Sequence, residues 1–594
     1  SNLTLHHEVV RPLRPVGWRA LARAMLGRWW PCIWLCFAAH ALTTAENEVR
    51  RDAVRGAVRE CWRAYRASAA GYDDVAPKAG KGLDWLHSRA TFFDSLDTLY
   101  VVGLKSDFDA AVAEVVATGA SRWRPPYWAR SGIRPVKVFE YHIRVVGGLL
   151  GAYAVSGDRA LLYAGRDAAD AMLRGWRASN GVARRYAHIV DRRTAPVLAW
   201  VLGVFDDLRA ALDPAAGCNS LAGAGSFGLE LNFLSRELGD PAYAARTRRV
   251  HDVVYRRWRA DGGPRSKTWL PLWWQSLPPD NVFGRLFAAD VGANEWPTCE
   301  GGKASLGSGG DSFYEYLLKE HLQLNAMASQ PGERAPHDSK TASEKLAMYE
   351  WLVDGLASAL PLPESHLGCF VGGLLALGAA RNVHTGPMRM ERAARDLESA
   401  AGVADRCLAA YAATASSLGP DEFGPRFRPA GPGAAHKLRP ELVESLFVLY
   451  RVTRDERWRD AAWRIFQKWV EHCRVEQGGF SGLLDVNAPG SLDDEQPSYF
   501  LAESLKYMYL LFSDTDEIGL EEYVFTTEGH PLTLAPRCGG PDDCFGGDFI
   551  PHCVLPSDVL CLCALFVYYL RRCRARRRSK RGARRSRYNE LHIV

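Results

Sequence analysis

A set of carboxylates in this chain stands where apolar helices have little use for a charge. Glu140 follows Phe139 on a segment whose neighbours are Val136, Val138, Ile143 and Val145. Asp311 comes directly after Gly307-Ser308-Gly309-Gly310 and opens a helical pattern. Glu441 and Glu444 stand one turn apart behind Arg439-Pro440, with Pro440 suited to a first helical turn. Glu503 lies inside the run from Phe500 to Leu505, and Glu528 follows Thr526-Thr527 ahead of His530-Pro531. Singly, each has an ordinary role: Asp311 as an N-cap, Glu441 as a first-turn acid, Glu140 with Arg144 or Glu503 with Lys506 as surface pairs. Together they are too costly to bury apart, so a shared site must collect them. With no nucleophile elbow, zinc signature or phosphate loop beside them, they point to acid–base chemistry. Hydrolysis of a glycosidic bond is the reaction that characteristically needs two carboxyl groups and little else.

The elements that must hold these acids are helices. From Asp52 to about Leu532 apolar residues recur at three- and four-residue spacing, and period-two alternation is scarce. In VFEYHIRVVGGLLGAY, Phe139, Ile143, Val146, Leu150 and Tyr153 form one stripe. Several helices are apolar around much of their circumference, which predicts burial on two sides, as in the inner ring of a toroid or the middle of a solenoid. No sequence repeat of fixed length supports the solenoid. The expected class is all-α, and 594 residues of 47% hydrophobic and 24% charged composition suffice for a large core.

The net charge of +6 is local, because residues 571–594 hold eleven Lys/Arg against the single acid Glu590. The body is therefore mildly acidic and carries no aromatic-studded basic stripe for nucleic acid. The fourteen cysteines include no CxxC or Cys/His zinc spacing, which leaves buried thiols or disulfides according to compartment. Near the N-terminus, Arg11, Arg14, Arg19, Arg23 and Arg28 precede the uncharged run Trp29 to Ala45, the pattern of a signal or type II membrane anchor. Either would deliver the body to the secretory lumen. A second apolar run, Val559 to Leu570, is short for a span and reads as a packed terminal helix. The chain divides into an N-terminal segment 1–45, a body 46–532 and a C-terminal extension 533–594.

Eight stretches, in order, resemble the class I α-1,2-mannosidases of glycoside hydrolase family 47. They are ATFFDSLDTLYVVGL, VFEYHIRVVGGLLGAY, FGLELNFLSRELGD, GDSFYEYLLK, HLGCFVGG, LRPELVESLFVLYRVT, SYFLAESLKYMYLLFSD and VFTTEGHPL. The resemblance implies an (α/α)7 barrel with a small β-hairpin closing one end and a calcium ion at its floor. It implies inverting removal of α-1,2-linked mannose from high-mannose N-glycans in the Golgi or endoplasmic reticulum.

Carried over by motif, Glu140 is the acid that protonates the leaving oxygen, Asp311 a second acid acting through water, and Glu441 the base. Glu441 at a helix start beside Arg439 suits the base, and Glu140 among apolar neighbours suits the acid. Thr527 matches the calcium ligand, with Glu444, Glu503 and Glu528 accepting from the ion's waters. Arg144, Glu230, His366, Arg439, Pro440 and Tyr499 match sugar-binding positions. Cys369 and Cys407 match the family disulfide.

The chain departs from the family at Thr526 and Gly529 around the calcium ligand, at Tyr499 in place of Phe, at Ser365, and in the loop Asn180 to Tyr186. Gly309 stands where reticulum members that remove one mannose carry Arg, and Gln496 also follows the Golgi type, so broad trimming is expected. The alternative is a quality-control factor of the same fold that binds mannose with weak activity; residues 533–594 are too short for the appended regions typical of that group.

Overall fold

The computed structural model describes residues 45–118, 135–173, 176, 183–189, 219–260, 290–291, 306–329, 336–356, 365–384, 387–423, 434–513 and 517–535. The signal or anchor run up to residue 44, the C-terminal extension beyond residue 535 and part of the 180–186 loop lie outside these residues.

Two concentric layers of helix surround a central axis. The inner layer comprises Ala90–Asp94 with Leu96–Val101, Val138–Ser156, Gly228–Leu238, Asp311–Ala328, His366–Ala380, Glu441–Thr453 and Phe500–Leu511. Successive inner segments touch in chain order, and the ring closes where Phe500–Ser504 meets Ala90–Asp94 and Leu96–Val101. Outer helices Lys105–Thr118, Arg159–Leu173, Ala242–Ala260, Pro336–Leu356, Arg389–Ala412 and Arg457–His472 each back the inner segment before them. A further outer helix, 45–68, clasps the closure: Arg55 donates to the Val102 carbonyl and to Tyr509, and Arg50 pairs with Asp460. The barrel is the all-α (α/α)7 toroid that the family resemblance implies, and its inner ring is the two-sided burial expected of the all-round apolar helices.

Sequence accounts for the two layers. The inner helices bury nearly every residue, as in FVGGLLALGAA of Phe370–Ala380. An outer helix such as Arg457–His472 buries Trp458, Ile465, Phe466 and Trp469 on one face, with Arg459 turned in beside them to donate to the Leu511 and Ser513 carbonyls. Close approach within the ring needs glycine: a Cβ on Gly148 would stand 2.3 Å from the Phe93 carbonyl oxygen.

One end of the barrel is plugged by a hairpin, Tyr523–Phe525 paired antiparallel with Pro531–Thr533, with Val524 opposite Leu532. Its tip, residues 526–530, is inserted among the inner helices: His530 Nδ1 lies 2.9 Å from Asp97, and Glu528 is ion-paired with Arg144. The other sheets are two-stranded and small. Among the described residues no helix is long and apolar enough to cross a membrane.

Candidate active site

The open end of the barrel leads into a cavity of ≈ 340 Å³ whose walls include Trp85, Glu140, Arg144, Asp421, Arg439 and Tyr499. Arg144 is its structural hub. Its Nη1 donates to Ser498 at 2.8 Å and Asp94 at 3.0 Å and also reaches Glu528, while Nε donates to Glu140 at 3.2 Å. Burial disfavours the charged guanidinium, but Glu528, Asp94 and Glu140 outweigh it and hold its pKa well above the ordinary value. The guanidinium also lies 5.5 Å from the Trp85 ring and 5.9 Å from the Tyr499 ring.

Two expectations are corrected here. Glu140 has no purely apolar setting, because the next helical turn brings Arg144 to it. The Glu140–Arg144 pair exists, yet it is a cavity contact made by a buried arginine and not a surface pair. Lys506 is not the partner of Glu503; it donates to Asp97 at 2.8 Å and to the Gly529 carbonyl at 2.8 Å.

Arg144 and Glu503 share a local irregularity. Residues His142–Val146 and Phe500–Ser504 are π-helical turns inside otherwise α-helical segments. The extra residue per turn re-aims the side chains, and such bulges recur at functional positions. Periodicity in the sequence gives no sign of either.

Glu441 begins its helix directly after Pro440, the N-cap residue. Its Oε2 lies 2.8 Å from His366 Nδ1, and His366 Nε2 lies 2.7 Å from the Tyr411 hydroxyl. Arg439 is clamped by Asp421, stacks 5.8 Å from the Tyr499 ring, and is kept charged despite burial by Tyr499, Asp421 and Glu441. Tyr499 in turn donates to the Lys437 carbonyl at 2.7 Å, so the hydroxyl that distinguishes it from Phe anchors the ring.

Asp311 opens Asp311–Ala328 as expected, its Oδ1 accepting the Ser312 N–H at 2.8 Å. Burial, reinforced by the charges of Glu315 and Glu441, pushes its pKa up to about 7. Asp311 and Glu441 therefore act on each other across one site. Gly309, two residues earlier, has φ +90°, a conformation that strains any side chain.

Toward the hairpin the acids crowd. Glu444 pairs with Lys319 at 3.3 Å, and Lys319 also contacts Glu315, so Glu444 is not the isolated charge its sequence position suggests. Its pKa is still raised to about 7, chiefly by burial. Glu503 is pushed well above the carboxylate range by burial and by Glu528, Glu441 and Glu444. Gly529 of the hairpin tip is pressed against Glu503, for a Cβ there would meet its Cγ at 3.1 Å. Thr527, half-buried at the tip, donates its N–H to Tyr316 at 3.4 Å. Among the described residues no side chain takes up its hydroxyl.

Glu230 stands apart. It is fully buried behind the wall, accepting from the Tyr316 hydroxyl at 2.8 Å and lying 3.1 Å from His142. It is linked to the hairpin tip through Tyr316, whose hydroxyl accepts the Thr527 N–H. Cys369 and Cys407 form a disulfide joining an inner to an outer helix, and Cys61 and Cys473 are buried free thiols.

Residues absent from the sequence reading include Trp85, Asp94, Asp421, Lys437, Ser498 and Tyr411. Asp94 lay within a stretch quoted for the resemblance, and its place among apolar residues was its one signal. Ser498 also opens a quoted stretch, at the start of the last inner helical segment, while Trp85, Asp421 and Lys437 come from loops and Tyr411 from an outer helix, with no pattern to mark them.

Comparison with known proteins supports this architecture. Residues 57–534 match the family model described as glycosyl hydrolase family 47. The chain is 33% identical over 504 residues to a mannosyl-oligosaccharide 1,2-α-mannosidase of Arabidopsis thaliana, covering 83% of this chain and 80% of the relative. It is 31% identical to mannosyl-oligosaccharide 1,2-α-mannosidase IB of Mus musculus, with 82% and 70% covered. The solved α-1,2-mannosidase of Trichoderma reesei superposes with a TM-score of 0.64 at 22% identity, over 82% of this chain and 99% of that one. The barrel, its hairpin plug and a match across most of the chain make this protein a member of glycosyl hydrolase family 47.

Proposed function

We propose that this protein removes terminal α-1,2-linked mannose from high-mannose N-glycans, with inversion at the anomeric carbon and with calcium bound at the barrel floor. One observation carries the reading: Asp311, raised to about 7 by burial and in part by the charge of Glu441, shares a site with Glu441, which His366 orients, and the neighbouring Arg439 lines the cavity of ≈ 340 Å³.

Glu441 takes a proton from water as the water oxygen bonds to the anomeric carbon. The bond from that carbon to the leaving oxygen breaks, and the leaving oxygen receives a proton from Asp311 through a bridging water. Asp311 suits this task because burial raises its pKa to about 7, so a substantial protonated fraction persists near neutral pH. Glu140, tied to Arg144, then serves to bind the leaving sugar. Arg439 and the Tyr499 ring bound the space that the reacting sugar enters.

The floor fits a hard cation. Glu503 has acids as its principal charged neighbours, and the Thr527 hydroxyl and carbonyl complete an all-oxygen donor set. Thr527 would ligate calcium directly, with Glu444, Glu503 and Glu528 accepting from its waters, and the ion would polarise sugar hydroxyls. The disulfide suits a secretory compartment, and the membrane-anchored Golgi address rests on the N-terminal run. Gly309 supports broad trimming, since an Arg side chain is disfavoured at its φ of +90°.

The test is incubation with a nine-mannose oligosaccharide, with calcium and with chelator, following product masses and the anomer first released. Stepwise loss of several hexoses as β-mannose, with calcium alone, is expected. Binding without mass change by folded protein would replace this reading with the quality-control one.

A further inference from the structure

We propose that Tyr411, on an outer helix, is a positioning residue for Glu441, acting through His366. This rests on the reading of Glu441 as the base. Tyr411 reaches inward from Arg389–Ala412, with its ring buried and its hydroxyl 2.7 Å from His366 Nε2. The other ring nitrogen of His366, Nδ1, is 2.8 Å from Glu441 Oε2.

The chain of bonds has a direction. A tyrosine hydroxyl carries one proton, and burial together with the charge of Glu441 pushes the Tyr411 phenol far up, so that proton stays. Donated to Nε2, it leaves the imidazole proton on Nδ1, facing the carboxylate oxygen that must accept. Without the Tyr411 hydroxyl the imidazole is free to carry its proton on Nε2, and Nδ1 then turns a lone pair toward Glu441.

The fold secures this contact twice. The disulfide joins Cys369, three residues after His366, to Cys407, one helical turn before Tyr411, so a covalent bond holds the two partners' helices side by side. Gly419 supplies the room, since a Cβ there would stand 2.0 Å from the Tyr411 ring. Among the described residues, the hydroxyl has no polar partner besides His366.

The test is Tyr411→Phe in the full chain, with kcat and KM on a mannose disaccharide and the melting temperature measured together. The expected result is a kcat lower by about ten-fold, the loss of one orienting hydrogen bond, with KM within two-fold and melting unchanged. A kcat equal to wild type overturns the proposal, because Phe preserves the packing. If the variant fails to fold, 3-fluorotyrosine at position 411 keeps the ring and strengthens the donor; an unaltered kcat there also overturns it. Glu441→Gln run in parallel separates the two claims: full activity in that variant defeats the base assignment itself, whereas its inactivity beside a silent Tyr411→Phe defeats only the positioning role.

Discussion

Arg144 of the second inner helix is ion-paired with Glu528 at the tip of the plug, 384 residues away in the chain. The same guanidinium holds Asp94, Ser498 and Glu140, so four separate segments converge on one cation. Arg144→Met should leave Asp94 and Glu528 buried without their main counter-charge, at a cost of about 3–5 kcal/mol. Denaturant unfolding measures this; a loss below about 1 kcal/mol would show the hub to be ornamental.

Asp311 gives a prediction about pH. Its folded pKa of about 7 lies above the ordinary 3.8, so between those values the folded chain keeps a proton that the unfolded chain releases. Its contribution to stability is complete below about 4 and is lost as pH rises toward 7. Asp311→Asn escapes that loss and should melt higher than wild type at pH 8 while losing hydrolysis. In the wild type, kcat/KM should fall above about pH 7 as Asp311 ionises. A flat profile to pH 9 would remove Asp311 as the proton source.

How much of this was legible in the sequence follows a physical line. Glu140, Asp311 and Glu441 stand out in the sequence because a carboxylate in or at the start of an apolar helix is expensive to bury, and their roles come from the family resemblance. Cys369 and Cys407 followed from the family resemblance. Trp85, Asp421 and Lys437 belong to loops, where polar and aromatic residues are ordinary and nothing marks the few that turn inward. Tyr411 sits on an amphipathic outer helix as one more apolar-face residue, and only the fold reveals its hydroxyl beneath His366. The π-helical turns at Arg144 and Glu503 escape a reading based on a 3.6-residue period, and the alternative pairing of Glu503 with Lys506 fails because Lys506 donates to Asp97 and the Gly529 carbonyl.

Removing a divalent cation should destabilise the barrel floor. Chelation is expected to lower the melting temperature, and calcium at about 100 times its dissociation constant should restore roughly 2.7 kcal/mol. Glu503→Gln removes one of the crowded acids and should shrink that difference. A melting curve indifferent to chelator and calcium would refute the cation site without reference to activity.

Lys506 is fully buried between Asp97 and the Gly529 carbonyl, joining the last inner helix to both the first and the plug. Lys506→Met keeps the stem and deletes the charge, which leaves Asp97 with His530 as its remaining cationic partner. The expected loss is again about 3–5 kcal/mol, with hairpin amides exchanging faster than those of the outer helices. Equal protection of the hairpin in both proteins would contradict the role given to Lys506.

The central claim is that Glu441 activates the attacking water, and Glu441→Gln tests it most directly. The variant keeps size and shape but cannot accept the proton, so hydrolysis of an α-1,2-linked mannose disaccharide should drop by at least about a thousand-fold while the sugar still binds and the protein melts as before. Turnover within ten-fold of wild type would contradict the account.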